Sequence, residues 1–535
     1  MPPAHASPRV RPRARTRVCA LLCALAMLAP PASLPARAQI NLPALGDSAT
    51  DDFNVGTERK VGDQIMREVR RDPDYLDDPL LLEYLQSLWQ PLLSQARASG
   101  NIAADIDQRF AWEAFLVRDR SVNAFALPGG FVGVHLGLMA MTATRDELAS
   151  VLAHELSHVT QRHIARSITN SQRQSLASAV ALVLGVLAAS RARNADMANA
   201  AIAGSQAAAI QGQLNFSRDM EREADRIGLA MLSSAGFAPA GMAAMFEKLD
   251  QSSRLNDSGG YPYLRSHPLN TERIGEARSR VDPSRAGATG NLHEHRLAQA
   301  RARVLMDTRA DALRRWQALD GDRTSSQLGD QLASAYSSAL ASTLLRDWAR
   351  ADASLVHAQE LLRGKERAEL RAARALQLLA VQSMLARGDA QRAANLLRPL
   401  ADDASRPVMV LGAQVAVAAA SGNAAERDGL GRLLKHSADE LQTWVATQPR
   451  DALAWALLGQ TWAALNQPLR SLRADAESRL ALGDMNGAID RLIAAQRQSR
   501  SAASPDFIEA SVVDSRLRDL EGMRRRQYEE ERAAR

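Results

Sequence analysis

The stretch Thr144-Arg145-Asp146-Glu147-Leu148-Ala149-Ser150-Val151-Leu152-Ala153-His154-Glu155-Leu156-Ser157-His158-Val159 decides how the first half of this chain folds. Thr144 and Glu147 have the S/T-x-x-E spacing of a capping box. The Thr144 hydroxyl is expected to accept from the amide of Glu147, and Glu147 to reach back to the amide of Thr144. Leu148, Leu152, Leu156 and Val159 then recur at helical spacing, which predicts a helix with one apolar stripe. His154 and His158 are four residues apart and fall on a neighbouring face with Val151. Their imidazoles lie about one turn apart, where both can reach one metal ion. The histidines are therefore expected beside the buried stripe, at the edge of a cleft. Glu155 places a carboxylate next to that metal, the arrangement that turns a water at a zinc ion into a nucleophile.

A catalytic zinc takes three protein ligands and keeps one position open. The longer pattern H-E-x-x-H-x-x-G-x-x-H needs Gly and His where this chain has Gln161 and Ile164. His163 is one position short and is left to the helix surface or to local packing. The other solution is a carboxylate from a later helix. Asn215-Phe216-Ser217-Arg218-Asp219-Met220-Glu221-Arg222-Glu223-Ala224-Asp225 offers one. Glu221 and Asp225 share a helical face. Glu221 is the expected third ligand, and Asp225 the acceptor for the free N–H of a ligating histidine. Glu223 points elsewhere. The competing reading of this stretch is a charged, solvent-facing helix.

The start of the chain reads as a leader. Arg9, Arg11, Arg13, Arg15 and Arg17 form a basic segment, Val18 to Ala29 is an apolar run too short to anchor stably in a bilayer, and Ala36-Arg37-Ala38 fits a small-residue cleavage site. Residues 1–38 are thus expected to be a signal peptide of the general export route, with no transmembrane anchor after its removal. Six of the 66 basic residues and none of the 60 acidic ones precede Gln39, so the remainder carries 60 of each. The basic balance of the whole chain therefore gives no reason to expect nucleic-acid binding. Both cysteines, Cys19 and Cys23, also precede Gln39. Past the leader, disulfides, thiolate-ligated zinc and thiol catalysis are excluded, and a metal must be held by His and carboxylate. An exported chain of this type is expected in the periplasm of a Gram-negative bacterium.

His154-Glu155-Leu156-Ser157-His158 followed by Glu221-Arg222-Glu223-Ala224-Asp225 resembles the M48 peptidases, whose pattern is H-E-x-x-H then E-x-x-x-D. Asn123-Ala124-Phe125-Ala126-Leu127-Pro128-Gly129-Gly130 and Ser266-His267-Pro268-Leu269 match in the family's order, and the resemblance covers roughly residues 50 to 280. It implies a gluzincin-type domain, mostly α with a small β element, over residues 39–285, with one Zn²⁺ per chain. It also implies that His267 approaches the zinc and holds the enzyme quiescent, since a fourth protein ligand displaces the catalytic water. A loop histidine capping a turn is the plainer reading of His267. Arg273 is a candidate stabiliser of the oxyanion. Asn123 to Val134 reads as an extended segment with a turn, after which Phe131-Val132-Gly133-Val134 resumes the strand. The residues alone fit a structural hairpin or an open edge for an extended peptide; the resemblance favours the edge. Leu176 to Ala189 is apolar and shorter than a spanning helix, which leaves a buried helix, a lid over the site or a membrane-contacting segment.

From about residue 290 the chain becomes rich in Ala, Leu and Arg. Trp455 to Trp462 matches the start of a tetratricopeptide repeat, with Trp in place of Tyr. Gly388-Asp389 then Ala393, and Gly483-Asp484 then Ala488, repeat a turn-then-small-residue pattern, and Gly388 to Gly422 spans the 34-residue period. Residues 290–535 are expected to form about four degenerate, TPR-like helix pairs offering a concave surface. The run Arg524-Arg525-Arg526 near Glu529-Glu530-Glu531 reads as a solvated helix end.

Two functions are in view. The first is a zinc endopeptidase with Glu155 as the catalytic base and His154, His158 and Glu221 on the metal. The resemblance implies quality control of unfolded or stalled outer-membrane β-barrel proteins, with the repeats recruiting clients or the barrel assembly machinery. The second is a chaperone or scaffold for outer-membrane protein assembly whose protease is latent.

Overall fold

The computed structural model describes residues 54–170, 217–255, 262–281, 292–321, 327–422, 424–501 and 506–533. The segment 1–38 predicted to be a signal peptide, both cysteines and the apolar stretch 176–189 lie outside the described residues. No helix among the described residues is long and apolar enough to cross a membrane.

The fold is mostly helical with one small sheet, as the sequence implied. Helix α1 (Val55–Arg71) starts at Asn54, whose side chain accepts from the amide of Thr57. A short strand β1 (Tyr75–Leu76) leads to α2 (Pro79–Ala98), which has Asp78 as its cap and Pro at its first turn. This helix buries Leu81, Leu85, Leu88, Trp89 and Leu92. After α3 (Ala104–Arg109) come β2 (Glu113–Val117), β3 (Ala124–Leu127) and β4 (Phe131–His135).

The sheet order is β1-β2-β4-β3. Strand β4 pairs parallel with β2 and antiparallel with β3, so it is interior. This corrects the expectation that Phe131, Val132, Gly133 and Val134 form an open edge: those residues are hydrogen-bonded on both sides and buried, and the edge is β3. Gly129 and Gly130 adopt φ of 79° and 90° in the β3–β4 turn, a region open to glycine at low cost. Gly133 faces the rings of Phe115 and Phe125, and a Cβ there would lie 2.4 Å from the Phe125 ring. The missing side chain lets those two rings pack edge to face at 5.9 Å.

Helix α4 (Leu136–Met141) precedes α5 (Arg145–Thr160), and α6 (His163–Asn170) comes next. The capping box forms with a shifted return arm. The amide of Glu147 donates to the Thr144 hydroxyl at 3.2 Å, but the Glu147 carboxylate takes the amide of Ala143, at 2.6 Å, and pairs with Lys248 Nζ at 2.5 Å. Every residue of α5 from Glu147 to Thr160 is buried. The helix is not amphipathic with histidines at a cleft edge, because α2, β3, α7 (Arg218–Ser234) and α8 (Ala240–Leu255) enclose it. The short α9 (Tyr263–Ser266) and α10 (Thr271–Ser279) complete this region.

The rest is helical: α11 (Leu292–Leu305), α12 (Ala310–Gln317), α13 (Leu328–Leu344), α14 (Trp348–Leu362), α15 (Leu370–Ala386), α16 (Ala390–Leu397), α17 (Arg406–Ala420), α18 (Ala424–Thr447), α19 (Ala452–Ala464), α20 (Pro468–Ala481), α21 (Met485–Ser501) and α22 (Phe507–Ala533). Neighbours such as α13/α14, α15/α16, α17/α18 and α19/α20 pack as pairs, with Ala339, Ala358, Ala393 and Ala474 in the seams. Gly388 and Gly483 end their helices at φ of 80° and 81°, and Asp389 and Asp484 cap α16 and α21. Arg346, at φ 61°, takes the same place before the cap Asp347.

The described residues, from Asn54 onward, belong to one compact unit. Acidic residues around the start of α2 receive arginines from the helical array. Asp78 takes Arg301 in a buried fork at 2.8 and 2.7 Å, Asp77 takes Arg406, and Glu83 takes Arg374. Helix α11 also grips the end of α4. Gln299 donates to the carbonyls of Ala140 and Thr142, and His295 Nε2 donates to Thr142 at 3.1 Å while its Nδ1 accepts from the Tyr84 hydroxyl. The array is thus anchored directly before the cap of α5.

Candidate metal centre

His154 and His158 stand one turn apart on α5, as their spacing required. Helix α7 reaches them because Gly228 lacks a side chain: a Cβ there would lie 3.1 Å from the carbonyl oxygen of Ala153 and 3.2 Å from the amide nitrogen of His154. This close approach brings Glu221 and Asp225, on the same face of α7, against the two imidazoles. The chain after α9 then adds His267.

Donor atoms of His154, His158, Glu221 and His267, all four residues buried, lie within 4.8 Å of one another. His158 Nε2 is 3.0 Å from His154 Nε2 and 3.4 Å from Glu221 Oε1. His267 Nδ1 is 2.9 Å from Glu221 Oε1 and 3.3 Å from His154 Nε2. Tetrahedral zinc with bonds of about 2.0–2.1 Å sets neighbouring donors about 3.3 Å apart. The spacing and the N₃O donor set therefore fit such an ion.

The charges fit as well. Burial disfavours an imidazolium at His154, yet hydrogen bonding to Asp225 and Glu221 outweighs it and lifts the group to about 10. Burial pushes the Glu221 carboxyl up, but the facing His267, His154 and His158 hold it well below the usual carboxylate range. At His158 burial dominates and keeps the ring neutral. The carboxylates around His154 thus favour positive charge there, as a cation site requires, while His158 supplies a neutral ring.

Each donor is held from behind. His154 Nδ1 is 2.9 Å from Asp225 Oδ1, and Asp225 accepts both arms of Arg273 at 2.7 and 2.9 Å. Arg273 Nη1 lies 2.8 Å from Glu221 Oε2 and donates to the carbonyl of Pro268 at 2.8 Å. The guanidinium proposed for the oxyanion is thus committed to Asp225, Glu221 and the His267 loop. Glu155 is fully buried, and neither of its oxygens has a hydrogen-bond partner among the described residues. His267 Nε2 lies 3.6 Å from Glu155 Oε1. A buried carboxyl with no hydrogen bond of its own, beside a cluster of metal donors, is the kind of orphaned polar group that marks a working site.

Two contributors escaped the sequence reading. Tyr263 stacks on the His267 ring at 4.7 Å and meets His154 edge on. His163 is fully buried, which fits local packing rather than the helix surface, and touches His158 at 2.9 Å through Nδ1. Helical periodicity hides it, because Arg162 breaks the helix at φ 52° and turns His163 back under His158. Glu223 points away from the donors, as expected, and joins His163 Nε2 at 3.1 Å. Burial pushes His163 down to about 4.

A helical fold with a small sheet, an H-E-x-x-H helix and a glutamate donor on a later helix defines a gluzincin-type metallopeptidase. Peptidase family M48 matches residues 84–281. The chain is 30% identical over 491 residues to the beta-barrel assembly-enhancing protease of Escherichia coli (strain K12), covering 91% of this chain and 92% of the relative. It is 35% identical over 264 residues to the protein of that name in Yersinia pestis, covering 49% of this chain and 52% of the relative. It is 34% identical over 163 residues to the mitochondrial metalloendopeptidase OMA1 of Schizosaccharomyces pombe, covering 30% and 44%. The chain belongs to peptidase family M48.

Proposed function

We propose that this chain is a periplasmic zinc endopeptidase that hydrolyses misfolded or stalled outer-membrane β-barrel proteins. The observation that carries the reading is the buried His154, His158 and Glu221 donor set with the unbonded Glu155 carboxylate beside it. His154, His158 and Glu221 hold the zinc, which when bound polarises the scissile carbonyl and makes water acidic enough to lose a proton near neutral pH. Glu155 takes that proton during attack and delivers it to the leaving amine. Asp225 fixes the tautomer of His154. Arg273 acts by holding Asp225 and Glu221 in place, not on the oxyanion. An extended client pairs along β3, whose main chain demands little of the client's sequence.

The relatives' printed name supports the client class. Residues 39–285 form the peptidase portion after export and removal of residues 1–38. The TPR-like pairs of residues 290–535 recruit the client or the barrel assembly machinery. A second reading is favoured by the presence of His267 among the donors: the protease rests latent, and the array mainly assists assembly.

The zinc-loaded Glu155→Gln variant tests the mechanism on a denatured outer-membrane β-barrel protein. Loss of the proton acceptor is expected to lower cleavage by about 10²–10⁴-fold. Cleavage at the parental rate would refute the assignment. A variant that no longer cleaves yet still supports barrel assembly would establish the assisting role on its own.

A further inference from the structure

His154 Nδ1 faces the Asp225 carboxylate, whereas His158 Nδ1 faces a second imidazole. His158 Nε2 faces the donor cluster, 3.0 Å from His154 Nε2. Coordination through Nε2 leaves its proton on Nδ1, which lies 2.9 Å from His163 Nδ1. His163 Nδ1 must then be an acceptor, so its own proton sits on Nε2. That atom lies 3.1 Å from Glu223 Oε2, which also accepts from Arg166 Nη1 at 3.0 Å. The donors run one way, from His158 to His163 to Glu223.

We propose that His163 is a positioning residue for the second zinc ligand, passing the orienting hold of Glu223 to His158 through its ring. The proposal rests on the zinc reading of the site. It assigns His163 the part that Asp225 plays for His154, at one residue's remove. The fold is arranged for this. The left-handed turn at Arg162 brings His163 beneath His158, and Arg162 Nε is held at 2.8 Å by Glu58 of α1. Side-chain exposure is nil at His163 and 29% at Glu223, so the relay runs from the interior to the surface.

A His163→Phe variant keeps the ring and removes both bonds. A His163→Gln variant keeps an acceptor oxygen and a donor nitrogen. Zinc affinity of the full chain is measured by competition with a chromophoric chelator, with the metal-free melting temperature recorded alongside. His163→Phe is expected to bind zinc about 10–100-fold more weakly at a nearly unchanged metal-free melting temperature, and His163→Gln to recover most of that loss. Parental affinity in the Phe variant, or an equal loss in the Gln variant, overturns the proposal. If His163→Phe does not fold, Glu223→Ala at the half-exposed outer end decides: weakened zinc supports the relay and parental affinity overturns it. A parent chain that takes up no zinc would instead overturn the zinc reading itself.

Discussion

The perturbation that most directly probes this site is His267→Ala. His267 Nδ1 sits 2.9 Å from the buried, charged Glu221, and its ring fills the place beside Glu155. A hydrogen bond to a charged group contributes about 1.5–3 kcal/mol. Removing it lowers the preference for the closed arrangement by that amount, which with RT of about 0.59 kcal/mol is a factor of about 13–160 in the fraction with a free metal position. The rate on a denatured outer-membrane protein should rise by about that factor, with zinc still bound at one per chain. Hydrolysis is monitored by loss of the full-length client, and metal content by elemental analysis of the same sample. Zinc lost together with activity would show that His267 is a structural ligand. An unchanged rate at unchanged zinc would show that it does not limit access.

Two further outcomes bear on how the array holds the peptidase portion. Arg301→Ala strands Asp78 in a site where the two side chains are only 5% and 10% exposed, and should cost about 3–5 kcal/mol in urea unfolding; a change below about 1 kcal/mol would mean that the pair is dispensable. Burial lowers His295 to about 4, so below pH 6.5 the unfolded chain takes up a proton that the folded chain refuses. Stability of the metal-free protein should therefore fall from pH 6.5 to 4, by about 3 kcal/mol from this group, and level off below. A His295→Gln variant should show a shallower acid limb by that amount, and superimposable limbs would remove His295 as its cause.

The donor set was legible because each part is local. His154 and His158 share a turn, Glu221 and Asp225 share a turn, and with both cysteines before Gln39 the choice of ligands narrows to His and carboxylate. The features that the sequence hid are non-local or break periodicity. The residues of β4 fit a hairpin or an open edge equally, the family resemblance favours the edge, and only the pairing with β2 makes the strand interior. His163 lies five residues past His158, off the helical face, and becomes a neighbour through one left-handed residue. The enclosure of α5 depends on glycines at 228 and 241, which pack against Ala153 and Asp146 of a helix far away in sequence. The turn-then-small-residue pattern was blurred because Arg346 does at one turn the job that glycine does at Gly388 and Gly483.

The segment from Tyr263 to Pro268 ties the closed state together, and its contacts explain why opening should be concerted. The Tyr263 amide donates to the carbonyl of Val122 at 3.4 Å, two residues before β3 begins. The Tyr263 ring stacks on His267, His267 sits among the metal donors, and the Pro268 carbonyl accepts from Arg273, which in turn holds Glu221. These contacts belong to six consecutive residues. The segment cannot leave the donor cluster while keeping its hold beside β3. Displacing it would free the fourth metal position, clear the space next to Glu155 and expose the approach to β3 together. A client pairing along β3 toward Val122 would compete for the same carbonyl, so its binding energy is applied to the contact that keeps the site shut. Such coupling would tie proteolysis to occupancy of the edge.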